Sequence, residues 1–123
     1  MERKTKNIIV ADKSKAFALR IIKLYTFLRE EKSEYVLSRQ VLRSGTSVGA
    51  NIRESRNAQS DLDFISKMSI ALKEADETAY WLELLYESEF ITQVQFDSLY
   101  KDIDELIAML TVIIKTKKEN LNN

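Results

Sequence analysis

The sequence predicts an all-α protein folded as an antiparallel, up-down-up-down four-helix bundle. Its 123 residues contain no proline and only two glycines, so the residues that usually interrupt helices are almost absent. Apolar residues recur at steps of three and four, which is the spacing of one face of an α-helix. Four such segments are joined by short connections, which favour antiparallel neighbours. We expect one domain over residues 1–123.

The first predicted helix covers about residues 12–31 and follows a short, basic, extended segment. Asp12 or Ser14 is expected to cap its first turn. Its predicted core stripe consists of Phe17, Ile21, Leu24 and Leu28.

The second predicted helix covers about residues 36–57 and contains both glycines of the chain. Its core stripe is Leu37, Val41, Val48 and Ile52. Gly45 and Gly49 each cost about 1 kcal/mol relative to alanine in a helix interior. We therefore expect another backbone to approach this helix closely.

The third and fourth helices are predicted at about residues 61–89 and 93–117, each after a capping sequence. Ser60 begins the third, and Thr92 with Gln95 begins the fourth. The third stripe is Phe64, Met68, Ala71, Ala75, Ala79, Leu82 and Leu85. The fourth stripe is Phe96, Leu99, Ile103, Leu106, Leu110 and Ile113. The polar tail that follows is expected to fray.

The composition excludes several classes of chemistry. The chain has no cysteine and no histidine, which excludes thiolate nucleophiles, iron–sulfur clusters and any imidazole base. We expect no cofactor, no metal, no small-molecule substrate and no enzymatic activity. No apolar run approaches a membrane span or a signal peptide, so we expect a cytoplasmic protein of a prokaryotic kind.

The balanced net charge of zero hides an asymmetry between the two halves of the chain. Residues 1–60 carry 13 basic and 6 acidic side chains, whereas residues 61–123 carry 6 basic and 13 acidic ones. Opposed halves can help antiparallel helices to select their neighbours. Alternatively, they present a basic face to an anionic partner.

Arginines on the second helix make nucleic acid the first candidate partner. At about 100° per residue, Arg39, Arg43 and Arg53 fall opposite the core stripe, and Arg56 lies to one side. A guanidinium group can bind a phosphate through two parallel hydrogen bonds. These four residues are the candidate nucleic-acid-binding residues; the alternative is an ordinary solvated face.

A polar flank lies between the arginines and the core of the same helix. It consists of Gln40, Ser44, Ser47, Asn51 and Glu54. We interpret it as a helix–helix contact with satisfied hydrogen bonds. A catalytic role for Glu54 would need a second carboxylate, which the sequence spacing does not place nearby.

Two carboxylate pairs keep a metal-dependent hydrolase open as a remote alternative. Glu74 and Glu77 have the i, i+3 spacing of half a metal site, as do Asp102 and Glu105. The Glu-x-x-His pairs of di-iron bundles cannot occur in a chain without histidine.

Apolar residues away from the predicted core stripes favour self-association. They are Ile65, Ile70, Leu72, Trp81, Tyr100, Ile107 and Ile114. A second apolar face usually means burial against another subunit, so we expect a homo-oligomer.

The second helix also resembles a known family. Its motif is close to R-S-x-x-S-x-x-x-N-I-x-E, and the matching positions after the arginine are Ser44, Ser47, Asn51, Ile52 and Glu54. This pattern resembles the four-helix-bundle proteins associated with 23S ribosomal RNA intervening sequences, over about residues 8–115.

The resemblance implies more about fold and assembly than about role. Members are all-α bundles that tend to form homopentamers, with no established enzymatic activity. Similar bundles are accessory proteins of diversity-generating retroelements, which are thought to bind nucleic acid. The function expected from the resemblance is a non-enzymatic RNA- or DNA-binding accessory, and the alternative is a protein-interaction scaffold. The resemblance does not support a binding role of the arginine row, which is a feature of this sequence.

Overall fold

The computed structural model describes the backbone of residues 2–122 and the side chains of residues 5–122. The described residues form α1 (Glu2–Lys32), α2 (Leu37–Ser55), α3 (Asp61–Glu87) and α4 (Gln93–Leu121). Each helix packs against the next one in the chain, and α1 also packs against α4, which closes the bundle. The predicted all-α four-helix bundle is confirmed. None of the helices described is both long enough and apolar enough to cross a membrane.

The core is built from the predicted stripes of all four helices. Its largest fully buried side chains include Phe17, Ile21, Leu28, Val41, Val48, Met68, Leu82, Leu85, Ile103, Leu106 and Leu110. Leu37, Phe64 and Phe96 were also predicted in the stripes, but they are only partly buried at the edge of the core.

The helix starts follow the capping rules with one addition. The Ser60 hydroxyl accepts a hydrogen bond from the Asp63 backbone N–H, and Thr92 with Gln95 forms a reciprocal capping box. At the start of α2 the Glu34 carboxylate accepts from backbone N–H groups, at 3.0 Å from Leu37 and 2.7 Å from Ser38. Glu34 caps α2 although it lies outside the predicted helix, three residues before Leu37.

The predicted extended N-terminal segment is wrong, because α1 begins at Glu2. Asp12 and Ser14 lie inside the helix and do not cap it; the Ser14 hydroxyl donates to the Ala11 carbonyl oxygen at 2.9 Å. No proline or glycine interrupts these first turns, and Val10 is fully buried, which anchors them to the core.

The end of α4 also extends past the predicted limit of residue 117. The helix continues to Leu121 and does not fray after residue 117 as expected. The Lys117 ammonium pairs with Asp61 at 2.9 Å and lies over the Phe64 ring, which holds the last turns against α3. Met1 and Asn123, which complete the two predicted terminal segments, lie outside the described residues.

Most of the apolar residues off the predicted stripes are covered within the single chain. Ile65 and Ile114 are buried, and only Ile70 is clearly exposed. The remaining four, which are partly buried against the core, are Leu72, Trp81, Tyr100 and Ile107. They therefore widen the helix contacts of the bundle, and the second apolar face predicted on α3 and α4 is small. The exposed apolar side chains include Leu19 and Ile22 of α1, at 55% and 45% exposure.

Candidate functional site

A groove with cationic side chains lies between α1 and α2. Its volume is about 330 Å³. The residues that shape it are small, among them Ala18, Gly49 and Ala50, and the long side chains in its lining are Lys15, Arg53 and Arg56. Asp12 is the one acidic residue in this lining. The groove therefore combines three cationic side chains and one anionic side chain with small residues that do not fill the space between them.

The two glycines of α2 explain why α1 and α2 lie so close together. A Cβ atom at Gly45 would lie 2.9 Å from both Cγ atoms of Ile21, and one at Gly49 would lie 3.3 Å from the Ser14 hydroxyl oxygen. The predicted approach of another backbone is confirmed at Gly49, where the Ser14 carbonyl oxygen of α1 would lie 3.5 Å from the added Cβ atom, whereas at Gly45 the neighbour is the Ile21 side chain. Gly49 and Ser14, which make the second of these contacts, both line the groove.

The cations of the groove are free to meet a ligand. The side chains of Lys15, Arg53 and Arg56 are exposed and make no ion pair or hydrogen bond with the residues that the structure describes. Arg39 is also exposed and unpaired among those residues, although it does not line the groove. The candidate set thus retains Arg39, Arg53 and Arg56.

Arg43 departs from the predicted row because α3 engages its guanidinium group. Its two terminal nitrogens lie 3.2 Å from a Glu74 oxygen and 2.5 Å from a Glu77 oxygen. The hydrogen bond from Arg43, more than any other contact, lowers the pKa of Glu77, and the same bond raises the pKa of Arg43. The Trp81 ring N–H donates to the same Glu77 oxygen at 3.1 Å. Arg43 is therefore a contact between α2 and α3.

The polar flank of α2 faces α3, and only part of it crosses to that helix. The hydroxyl oxygens of Ser44 and Thr78 lie 2.8 Å apart, and both residues are fully buried. Ser47 instead donates to the Arg43 carbonyl oxygen, and the Asn51 amide donates to that of Ser47. The predicted inter-helix hydrogen bonding thus holds for Ser44, whereas Ser47 and Asn51 bond within α2.

The two remaining motif positions, Ile52 and Glu54, make contacts within the bundle. Ile52 is buried in the core. Glu54 is exposed, and one of its carboxylate oxygens lies 3.9 Å from the Lys67 ammonium. Its ion-pair partner among the described residues is thus a lysine, and the catalytic alternative gains no second carboxylate from this contact.

The carboxylate pairs considered for a metal are engaged by cations. Glu74 and Glu77 share Arg43, as described above. Asp102 pairs with Arg20 at 2.6 Å, and Glu105 pairs with Lys13 at 2.6 Å. Across residues 5–122 the structure brings together no group of three or more side chains suited to hold a metal ion.

The arginine row of α2 did not indicate Lys15, because Lys15 lies on a different helix. Lys15 comes from α1 and reaches the groove beside Arg53 only because the two helices run antiparallel. Ala11 and Ala18 were the available signal, since they place small side chains one turn before and one turn after Lys15. These small residues leave room around the Lys15 side chain on the side of α1 that lines the groove.

Comparisons with known proteins agree with this fold. A family model described as 23S rRNA-intervening sequence protein matches residues 6–112. The chain is also similar to a crystal structure of a protein of unknown function from the S23 ribosomal protein family, from Bacteroides thetaiotaomicron. The two share 56% sequence identity with a TM-score of 0.88, over 89% of this chain and 98% of that one. No curated protein matches the chain.

Proposed function

Because the chain belongs to the 23S rRNA-intervening sequence protein family, we propose that it is a non-enzymatic, homo-oligomeric protein that binds RNA or DNA. The groove between α1 and α2 is the proposed contact surface. The observation that carries the proposal is the set of free cations in that groove, Lys15, Arg53 and Arg56. Clustered cations gain affinity for nucleic acid by displacing the counterions of the phosphate backbone.

The groove favours the phosphate backbone over the bases as its target. Its cations can contact successive phosphates, while small residues between them avoid blocking the approach of a strand. The aromatic residues Phe17, Phe64 and Phe96 lie in or against the core, so they offer no stacking surface in the groove. We therefore expect binding with little sequence preference.

A direct test is fluorescence-anisotropy binding to a structured RNA and to a DNA duplex at about 50 and about 200 mM salt. The groove variant combines Lys15→Gln, Arg53→Gln and Arg56→Gln. The matched control combines Lys73→Gln, Lys101→Gln and Lys115→Gln, which removes the same charge from exposed lysines of α3 and α4. We expect steep salt dependence in the wild type, its loss in the groove variant and its retention in the control.

Two results would count against this function. Equal losses in the groove and control variants would show a general effect of charge, with no contribution from the groove. An absence of wild-type binding at the lower salt concentration would remove the nucleic-acid role and favour the scaffold alternative. Circular dichroism of each variant would verify that helix content is unchanged.

We propose the homo-oligomer from the exposed apolar side chains. Its number of subunits, five, is proposed from the resemblance. Leu19 and Ile22 lie three residues apart on α1, so they form one exposed patch. Multi-angle light scattering should give the mass of a pentamer. Leu19→Gln with Ile22→Gln should lower that mass, whereas Leu62→Gln with Val94→Gln should not, although both residues of this control pair are also exposed. A monomeric wild type would contradict the proposal.

The scaffold alternative has less support from the α3 surface than the sequence suggested. Trp81 is the largest apolar side chain that α3 could offer to a partner protein, but the ring is partly buried and its N–H is bonded to Glu77. We therefore rank a scaffold role below nucleic-acid binding.

A further inference from the structure

Two cavities adjoin where the first turns of α1 meet the last turns of α4. One has a volume of about 270 Å³, and Ala108, Met109 and Val112 line it. The other has a volume of about 250 Å³, and Asn7, Phe64, Thr116, Lys117 and Asn120 line it. Lys6 and Ile113 line both cavities, so the two form neighbouring parts of one cleft.

The two parts of the cleft differ in chemistry. The part beside Met109 and Val112 presents side chains that cannot bond to a polar group, and 47% of Val112 is exposed there. Covering such a surface with a hydrocarbon removes apolar area from water, which is favourable. This part of the cleft therefore suits an aliphatic chain.

The other part of the cleft is cationic and rich in unused hydrogen-bonding groups. Lys117 is paired with Asp61 at 2.9 Å, whereas Lys6 has no ion pair with any residue that the structure describes. The side chains of Asn7, Thr116 and Asn120 make no hydrogen bond with those residues either. Among the described residues, Lys6 is the cation of this lining that no carboxylate pairs with, and its one positive charge matches a ligand with one negative charge.

We propose that this cleft binds a medium-chain carboxylic acid. The carboxylate lies near the Lys6 ammonium and accepts hydrogen bonds from the Asn7 or Asn120 amide and the Thr116 hydroxyl. The aliphatic chain extends past Ile113 toward Met109 and Val112. Residues of α1, α3 and α4 form the site, which explains why no single helix pattern predicted it.

The proposal is independent of nucleic-acid binding. The cleft lies between α1 and α4, whereas the cationic groove lies between α1 and α2, and the two linings share no residue. A failure of either proposal therefore leaves the other standing.

The test is calorimetric titration of the full chain with octanoate, with ¹⁵N-resolved NMR to locate the binding surface. We expect saturable binding of one octanoate per chain, with a Kd on the order of 0.1 to 1 mM for a ligand of this size. Lys6→Gln should weaken it about fivefold, the effect of losing one partly exposed charge contact. Lys101→Gln, an exposed lysine elsewhere on α4, should leave the Kd unchanged.

Neutral and apolar controls distinguish the two parts of the site. Octanol, which has the same chain without the charge, should bind more weakly than octanoate. Met109→Gln should weaken octanoate binding, whereas Val94→Gln, which changes an exposed apolar residue at the start of α4, should not. NMR shifts should centre on residues 6–9 and 108–120.

Several outcomes would overturn the proposal. Binding that does not saturate, or that involves several octanoates per chain, would indicate surface adsorption. Equal affinity for octanol would remove the role of Lys6, and NMR shifts away from the cleft would place the ligand elsewhere. An unchanged melting temperature of Lys6→Gln and Met109→Gln would verify that their weaker binding does not come from unfolding.

Discussion

The two flanks of α2 contact their neighbouring helices by different physical means. On the α1 side, Gly45 and Gly49 remove side chains so that α1 packs against the α2 backbone. On the α3 side, polar groups make the contact, with Ser44 bonded to Thr78 and Arg43 bonded to Glu74 and Glu77. Both flanks belong to a helix that carries the family motif.

This difference divides one row of arginines into two roles. Arg43 lies where α3 supplies carboxylates, so its charge is neutralised within the bundle. Arg53 lies on the α1 side, where small side chains leave a groove and no carboxylate pairs with it among the residues described. A basic helix face therefore identifies candidate ligands for phosphate only after the neighbouring helix is known.

The largest effect should come from filling the close contact on the α1 side. Gly45→Ala places a Cβ atom 2.9 Å from both Cγ atoms of fully buried Ile21, a branched side chain that cannot turn away. Overpacking costs about 1–3 kcal/mol and exceeds the helix gain of about 1 kcal/mol. We expect the free energy of unfolding in urea to fall by up to about 2 kcal/mol.

Gly49→Ala is the matched control for that contact. Its Cβ atom would meet the Ser14 hydroxyl oxygen at 3.3 Å, a distance that a small shift can relieve. The gain in helix propensity should offset this cost, so stability should stay within about 1 kcal/mol of wild type. Equal destabilisation by both substitutions would refute the special role of the Gly45 contact.

A smaller effect should come from the buried hydroxyl pair on the α3 side. Ser44→Ala removes one partner of the 2.8 Å contact with Thr78, although Thr78 keeps the Glu74 carbonyl oxygen at 2.7 Å. We expect unfolding to become easier by about 1 kcal/mol. Ser47→Ala loses only a bond within α2 and should cost less in the same urea titration. An equal cost at both positions would argue against an inter-helix role of Ser44.

The smallest effect should come from the partly exposed Arg43 pair, and it should depend on pH. Arg43→Gln should lower stability by up to about 1 kcal/mol at pH 7 and low salt. The folded-state pKa of Glu77 lies below its ordinary value, so this stabilisation is present above that ordinary value. It is lost as the pH falls through the lowered folded-state pKa.

Urea unfolding of wild type and Arg43→Gln at pH 7 and pH 3 measures this dependence. The difference between the two proteins should shrink progressively on acidification, because protonation of Glu77 removes the charge that attracts Arg43. A difference that grows at low pH would contradict the assigned ion pair. Arg53→Gln, which has no pair among the described residues, should show little pH dependence.

Local sequence patterns predicted the helices and their core stripes, but they did not predict which side chains of different helices contact one another. Period and capping residues are properties of a short segment, so Phe17, Ser60 and Thr92 could be placed without knowing the neighbours. The partner of Arg43 and the position of Lys15 depend on which helices pack together and on how those helices are aligned along their axes. The prediction for the first turns of α1 was wrong for the same reason. Burial of Val10 against other helices stabilises these turns, although they lack a local cap.

The most direct measurement is the salt dependence of nucleic-acid binding by Arg53→Gln and Arg43→Gln, each of which removes one arginine. We predict that Arg53→Gln reduces the slope of log affinity against log salt by roughly 0.7 to 0.9 for each groove engaged. Arg43→Gln should leave the slope unchanged, because its guanidinium group is held by Glu74 and Glu77. Equal slopes for Arg53→Gln and wild type, or a larger change in Arg43→Gln, would contradict the division of the two flanks.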